Sequence, residues 1–556
     1  MTKTFGGLTP TTVLFQGDEI PIWQGSAAKR ISKPNMKNSL GIAVSVLDYG
    51  ADPTGVADST AAFNAATLAT TVTTGNDDLN MRRTIDVPSG DYKITGTVYL
   101  RLGQHLRGAG EGSTRIMLAG ATAFAGHIFK MGVGLINGVE TNDTGGLCCE
   151  ISGLTTEGGP ISYAVIDTGP TLGFSIHNVW MISVGIGIRC ATSSTSGRIE
   201  NVQIDQAYGV AIDVGGQNHT FQNLQLYLCN YGIRTLAGDV ADMLFTGVQI
   251  QYSAYADITF SDGSYISDWI FTNGCIIQNA QNAGTKETMI ANRAGNNVIS
   301  IASNNILFTD CVFANSHGAV YVHYSAASGG NVTFNDCVFE GYRTVHGYDQ
   351  STTAYAAFSS GETLTFNNCA FKNLHSEPLY LSGHATAPTI VKVNGGSHIG
   401  NAGTSFIAFA ATAPINPSSV VINGLDCASS VTNKVFGSAN QAGWFLGSDR
   451  AILLTGTGIS TEITTKPRGP KSTYFVNTQS AAALIRLPTA ADGSTVLADG
   501  DSLTFIPYTA SNWAVNNVKF VRGASTINGI ASDYTVSANV RVTITYDAAG
   551  ANWIVF

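Results

Sequence analysis

The chain has 556 residues, enough for two or three domains, and a formal net charge of −9 from 29 Lys+Arg and 38 Asp+Glu. Charged residues make up only 12%, against roughly 25% in an average soluble protein, and no basic tract exists, which argues against nucleic acid and anionic membrane as partners. No run of about 18 apolar residues predicts a membrane span, and the opening Met1-Thr2-Lys3-Thr4-Phe5 lacks the apolar core of a signal peptide.

Residues 1–44 are polar and irregular, with Pro10, Pro21 and Pro34, an apolar island Ile20-Pro21-Ile22-Trp23, and local positive charge at Lys29, Arg30, Lys33 and Lys37. Two readings stand: a disordered tail, or a small segment that docks on another protein. From Ser45 a strand ends at Tyr49-Gly50, and Asp52-Pro53-Thr54-Gly55 makes a turn. Asp58 or Ser59 caps a predicted helix over 58–72. Its small apolar face, Ala62, Ala65, Ala66, Ala69 and Val72, fits over the open end of a stacked structure, which would otherwise expose core and unpaired backbone. Two further phrases follow, Thr84-Ile85-Asp86-Val87-Pro88-Ser89-Gly90-Asp91-Tyr92-Lys93-Ile94 and Gln104-His105-Leu106-Arg107-Gly108-Ala109-Gly110.

These three stretches resemble the opening of the pectate-lyase-like superfamily, which many bacteriophage tailspikes and capsule depolymerases share. The first is similar to the family's FGA-x-GDG opening, with Ser59 where the pattern has its second acid. The second resembles its I-x-V-P-x-G-x-Y-x-I first rung, and the third its L-x-G-x-G turn. The resemblance covers roughly residues 45–430.

Beyond it the sequence repeats. Asn178-Val179-Trp180-Met181, Asn201-Val202-Gln203-Ile204, Asn223-Leu224-Gln225-Leu226, Gly247-Val248-Gln249-Ile250 and Gly274-Cys275-Ile276-Ile277 follow at steps of 23, 22, 24 and 27 residues. Thr309-Asp310-Cys311-Val312-Phe313, Asn335-Asp336-Cys337-Val338-Phe339 and Asn367-Asn368-Cys369-Ala370-Phe371 carry the pattern on. Short alternating runs separated by Gly, Asn, Ser and Asp are β-structure, and a unit this short must stack on its neighbours. The expected fold is all-β: a right-handed parallel β-helix over 45–435, then a connector. A C-terminal β-sandwich over 447–556 is read from Leu484-Ile485-Arg486-Leu487-Pro488, Asp501-Ser502-Leu503-Thr504-Phe505-Ile506 and the closing Val542–Phe556 run. That closing run looks like C-terminal domains of phage tail receptor-binding proteins, which in that family hold three chains together; a homotrimer is what the resemblance implies.

Cys275, Cys311, Cys337 and Cys369 fall at one position of successive repeats. A metal or redox ladder is one reading. A column of small inward core residues is the favoured one, because free Cys packs as a small hydrophobe and no CxxC spacing supports zinc. Nine cysteines, an odd count, suggest reduced thiols and folding in a cytoplasm.

A β-helix offers long shallow grooves, in which side chains at equivalent positions form columns about 4.8 Å apart. Tyr208, Tyr231 and Tyr255 match in position along three repeats, with Tyr227 and Tyr252 near the strand exits; they serve either as sugar-stacking platforms or as an inward aromatic stack. Glycosidic hydrolysis needs two carboxyl groups. Asp205 lies at a strand exit, and Asp239 and Asp242, with Asp262 and Asp268 one repeat on, lie in loops. An acidic pair three apart with a third acid upstream resembles the arrangement in phage endorhamnosidase tailspikes; the plain alternative is turn aspartates. Glu340-Gly341-Tyr342-Arg343-Thr344-Val345-His346-Gly347-Tyr348-Asp349 is a second candidate, dense enough for hydrolysis or for β-elimination of a uronate, or else a polar interface loop. His105, His177, His219, His317 and His375 are isolated along the chain, so no metal is expected, and no motif implies a cofactor.

The functional expectation is a phage tailspike that binds a bacterial capsular or O-antigen polysaccharide and hydrolyses it with paired carboxylates. Asp205, Asp239, Asp242 and Glu340 are the candidate catalytic groups. Tyr208, Tyr227, Tyr231, Tyr252, Tyr255, Arg343 and His346 are the candidate sugar contacts. The N-terminal segment would join the virion tail. The rivals are a polysaccharide lyase and a non-catalytic receptor-binding adhesin.

Overall fold

The computed structural model describes residues 19–24, 27–32, 43–70, 83–101, 103–119, 127–136, 139–142, 146–158, 163–260, 264–278, 287–291, 304–314, 319–323, 331–340, 356–359, 363–373, 379–382, 390–399, 405–409, 419–423, 426–427, 433–436, 444–446, 450–455, 460–462, 472–477, 483–487, 502–507, 513, 517–522 and 526–556. The chain divides into two compact units, residues 1–325 with 337–353, and residues 326–336 with 354–556. In the first, Glu19–Gln24 pairs antiparallel with Ala27–Ser32. All later pairing that builds the coils is parallel.

The helix runs Thr60–Ala69, and the end of the expected 58–72 span lies outside the described residues. Ser59 makes no side-chain cap bond to the helix. Instead Asp58 Oδ1 accepts from the backbone N–H of Thr60 at 3.0 Å and from its hydroxyl at 2.6 Å. Ser59 Oγ accepts from the Asp52 N–H at 2.9 Å. Asp52 in turn accepts from the N–H groups of Ala57 and Thr54, and these bonds hold its carboxyl down to about 2. The buried helix face is Ala62, Phe63, Ala66 and Thr67. Phe63 meets Tyr92 edge-on at 5.7 Å. Asn64 Nδ2 donates to Thr97 O at 2.8 Å and Gln104 Nε2 to Thr67 O at 2.6 Å, which pins the helix to the first coils.

Each coil of the first unit has three sides, here faces A, B and C. Gly146–Glu157, Thr171–Ile182, Arg198–Asp205 and Thr220–Tyr227 each run along face A, turn a corner, and continue along face B. Ala164–Asp167, Ile186–Arg189, Val210–Gln217, the start of Tyr231–Thr246 and Ala256–Phe260 form face C. Parallel strands joined coil to coil cross over right-handedly. The A/B corner needs a positive φ, which Asn tolerates better than other side chains; Asn178, Asn201 and Asn223 sit at +54°, +51° and +52°. Their amides form a ladder, Asn201 Nδ2 to Asn178 Oδ1 at 3.3 Å and Asn223 Nδ2 to Asn201 Oδ1 at 3.2 Å. Asp310 and Asp336 hold the same kind of turn, at +54° and +53°.

The interior is a set of columns. Phe221, Phe245, Phe271 and Phe308 stack with centroids 4.5, 4.4 and 4.7 Å apart. The cysteine column is core: Cys275, Cys311, Cys337 and Cys369 are buried with reduced thiols, and each thiol donates to a backbone carbonyl, as Cys311 does to Thr309 O at 3.4 Å.

In the second unit three parallel ladders repeat the plan: Asn331–Asn335 with Thr363–Asn367, Ile390–Asn394, Ser419–Asn423 and Trp444–Leu446; Ala370–Lys372 with Ser397–Ile399 and Asp426–Cys427; and Ala356–Ser359 with Leu379–Ser382, Ser405–Phe409 and Asn433–Phe436. The C-terminal region is a pair of sheets of six and four strands. Arg450–Thr455, Ser472–Asn477 and Ser502–Pro507 still pair parallel, as do Ser460–Glu462, Ala483–Arg486 and Val518–Val521. Antiparallel strands Val542–Asp547, Asn552–Val555 and Tyr534–Val536 then close the structure. Both sheets share one core that contains Phe505, Trp513, Phe520, Ile544 and Trp553.

Candidate functional site

The outward side chains of face B form two columns. One carries Thr155, Trp180, Gln203, Gln225 and Gln249; the other carries Glu157, Ile182, Asp205, Tyr227 and Gln251. Trp180 Nε1 donates to Asp205 Oδ2 at 2.8 Å and Gln203 Nε2 donates to the same oxygen at 2.9 Å. These two bonds fix the carboxylate plane and leave Oδ1 for another partner. Glu157 lies two coils below Asp205 in the same column, about 9–10 Å away at about 4.8 Å per coil. Arg115 Nε donates to Glu157 Oε2 at 2.5 Å.

The tyrosines gather where face B turns into face C. Tyr208, Tyr255 and Tyr227 are 50%, 41% and 39% exposed, so they form a surface and not the inward stack that was the alternative. Tyr227 meets Tyr252 edge-on at 5.2 Å, and Tyr231 stacks on Tyr255 at 5.3 Å. Tyr252 occupies the corner itself at φ +59°, where neighbouring coils place Gly158, Ser183, Gln206 and Leu228, all at positive φ. A bulky residue in that conformation is strained, and such strain concentrates at functional sites.

Asp239 and Asp242 stand elsewhere. They lie in Tyr231–Thr246 between its face C and face A segments, at the corner opposite face B. Asp239 is paired with Tyr265 across the ladder. Asp242, at φ +57°, is one of a corner series with Asn218, Asp268 and Asn305, all at positive φ; Asn305 Nδ2 donates to Asp268 Oδ1 at 3.2 Å. The expected trio of Asp205 with Asp239 and Asp242 is therefore not assembled, because equal spacing along the chain does not fix the side of the coil. Glu340 does share the Asp205 column, but five coils above it, about 24 Å away and too far to act as its partner. Arg343, His346 and Asp262 lie outside the described residues.

Three side chains of this patch, Glu157, Trp180 and Gln203, carry no motif of their own in the sequence. A counting rule finds them. The corner residue plus four gives the acidic column, so Gly153 leads to Glu157, Asn201 to Asp205, Asn223 to Tyr227 and Asp336 to Glu340; the corner residue plus two gives Trp180 and Gln203. His105 and His177, isolated along the chain, converge on Glu150 on face A. Among the described residues this is the one group of three His, Cys, Asp or Glu side chains close enough to hold an ion.

Residues 43–256 match the family model described as Rhamnogalacturonase A/epimerase, pectate lyase-like. The chain thus carries a pectate-lyase-like parallel β-helix, and the whole face B patch up to Tyr255 falls within the matched segment. Comparison with curated protein sequences found no match. Among solved structures, the catalytic unit of a thermostable GH87 alpha-1,3-glucanase from Streptomyces thermodiastaticus is 17% identical with a TM-score of 0.49, covering 73% of this chain and 70% of that one. The tailspike protein of E. coli bacteriophage HK620 is 12% identical with a TM-score of 0.49, covering 77% and 83%. An N-terminal fragment of bacteriophage Phi29 gene product 12 is 14% identical with a TM-score of 0.45, covering 82% and 80%.

Proposed function

We propose that the chain is a phage tailspike that binds a bacterial surface polysaccharide along face B and hydrolyses it between Glu157 and Asp205. The observation that supports this most is the single outward column in which two carboxylates stand two coils apart, flanked by Trp180 and an exposed tyrosine cluster. Inverting glycosidases hold their carboxyl groups roughly 6.5–9.5 Å apart, leaving room for a water; two coils at about 4.8 Å each put the column spacing at the upper end of that range. One carboxyl group delivers a proton to the leaving glycosidic oxygen, and the other takes a proton from the attacking water. Trp180, Tyr227 and Tyr252 offer flat faces to sugar rings, while Gln225, Gln249 and Gln251 offer hydrogen bonds to hydroxyl groups. The family model over 43–256 is named for a rhamnogalacturonase and an epimerase, both of which act on carbohydrate. In this reading the chain works as a homotrimer, attached to the tail through its N-terminal segment and exposed on the virion.

The test uses capsular and O-antigen polysaccharides from a panel of Gram-negative strains, following reducing ends and the ultraviolet absorbance of unsaturated uronate together. Reducing ends without absorbance are expected. Both signals together would make the chain a lyase. Tight binding with neither would make it an adhesin.

A further inference from the structure

We propose that His105, Glu150 and His177 form a binding site for a divalent first-row transition-metal ion, with Zn²⁺ as the type. This site lies on face A, does not rest on the hydrolytic reading of face B, and uses none of its residues.

The three side chains come from three successive coils. His105 lies directly opposite Glu150 in the ladder, and His177 lies one coil further on, opposite Ser152. Both imidazoles aim the same atom at the same oxygen: His105 Nε2 is 3.2 Å and His177 Nε2 2.8 Å from Glu150 Oε1. All three ligand atoms lie within 4.8 Å of one another. Tetrahedral zinc with nitrogen and oxygen ligands at about 2.0–2.2 Å needs neighbouring ligand atoms roughly 3.3–3.6 Å apart, so the His105–Glu150 pair opens by about 0.1–0.4 Å and the His177–Glu150 pair by about 0.5–0.8 Å to take an ion. Two imidazoles and one carboxylate are also the ligand set that first-row divalent ions favour over Ca²⁺ and Mg²⁺, which prefer oxygen alone.

The surroundings favour the metal-ready form. Arg107, which lies opposite Ser152 in the ladder, is paired with Asp86 at 2.8 Å. Asn178 Nδ2, 3.2 Å from His177 Nδ1, orients that ring through the nitrogen that faces away from Glu150, while Ser152 Oγ, 2.7 Å from His105 Nε2, gives up that contact when an ion binds. The side chains of His105 and Glu150 are 15% exposed and that of His177 29%, so three protein ligands leave a further position that water can reach.

The experiment titrates Co²⁺ and Zn²⁺ into the full chain after chelation and dialysis, reading the visible ligand-field band of Co²⁺ and the stoichiometry by calorimetry. One ion per chain is expected, with a nitrogen–oxygen ligand-field band that Zn²⁺ displaces and Ca²⁺ does not. His177→Ala should weaken binding at least tenfold, as should Glu150→Gln, while Tyr208→Phe should leave it unchanged. The melting midpoint should rise with Zn²⁺ in the parent chain alone. Absence of the band in the parent chain overturns the proposal whether or not the variants fold. So does a thiolate charge-transfer band, which would place the ion at a cysteine, or binding that persists undiminished in the folded variants. Each of those results would leave the trio as a hydrogen-bonded cluster.

Discussion

The inside and the outside of the coils obey different rules. Inward columns repeat: Phe221, Phe245, Phe271 and Phe308 stack almost ring on ring, and Cys275, Cys311 and Cys337 follow one another without a break. Outward columns do not repeat: climbing face B from Glu157, the residues are Ile182, Asp205, Tyr227, Gln251, Gln278, Ala314 and Glu340. A column that must be packed at every coil selects one kind of side chain. A column that faces water is free to differ, and its departure toward Trp, Tyr and acid is what the proposed function rests on.

That contrast can be broken from either side. The largest expected effect is on the outside: Asp205→Asn should lower the rate of glycosidic cleavage by roughly 10²–10⁴-fold while the melting temperature stays put, measured by reducing-end release beside a thermal scan. On the inside, Phe245→Ala should cost about 3–5 kcal/mol of stability, read from denaturant unfolding, with specific activity per folded molecule preserved.

A third prediction concerns a buried polar group, His219. Its Nδ1 accepts from the Gly197 N–H at 2.8 Å, and its Nε2 lies 3.0 Å from Gly215 O. Burial pushes its pKa down to about 4, and a proton on Nδ1 would oppose the Gly197 donor. The folded pKa is below the unfolded one, so the unfolded chain gains a proton first as pH falls. Stability should therefore drop between about pH 6.5 and pH 4, by on the order of 3 kcal/mol. The His219→Asn variant should be weaker at pH 7 and should lose that part of the acid dependence in parallel unfolding curves. The smallest effect belongs to the corner: Asn201→Ala, forced to keep φ near +51°, should cost about 1 kcal/mol and leave cleavage intact.

The same contrast explains what could be read from the sequence. The Asn, Gly and Asp corners and the Cys–x–Phe runs are legible because the positive φ of the corner and the packing of the interior select the same kinds of residue in successive coils. The site was only partly legible. Asp205, Tyr227 and Tyr252, which the proposed site uses, sit beside repeated phrases. Asp239 and Asp242 were grouped with Asp205 on spacing alone, yet the long Tyr231–Thr246 strand carries them around to the opposite corner. Glu157 is not legible because its coil, with Gly153 at the corner, lies before the first repeat phrase at Asn178. His105, Glu150 and His177 are 45 and 27 residues apart in the chain, and only parallel register makes them neighbours.

The most direct test of the account compares Glu157→Gln with Glu340→Gln on whichever polysaccharide the parent chain degrades, following reducing-end release under identical conditions. The account predicts that Glu157→Gln falls by at least about 100-fold and that Glu340→Gln keeps the parent rate. Loss of activity in Glu340→Gln with Glu157→Gln unaffected would contradict it, and would move the chemistry seven coils up the same column from Glu157.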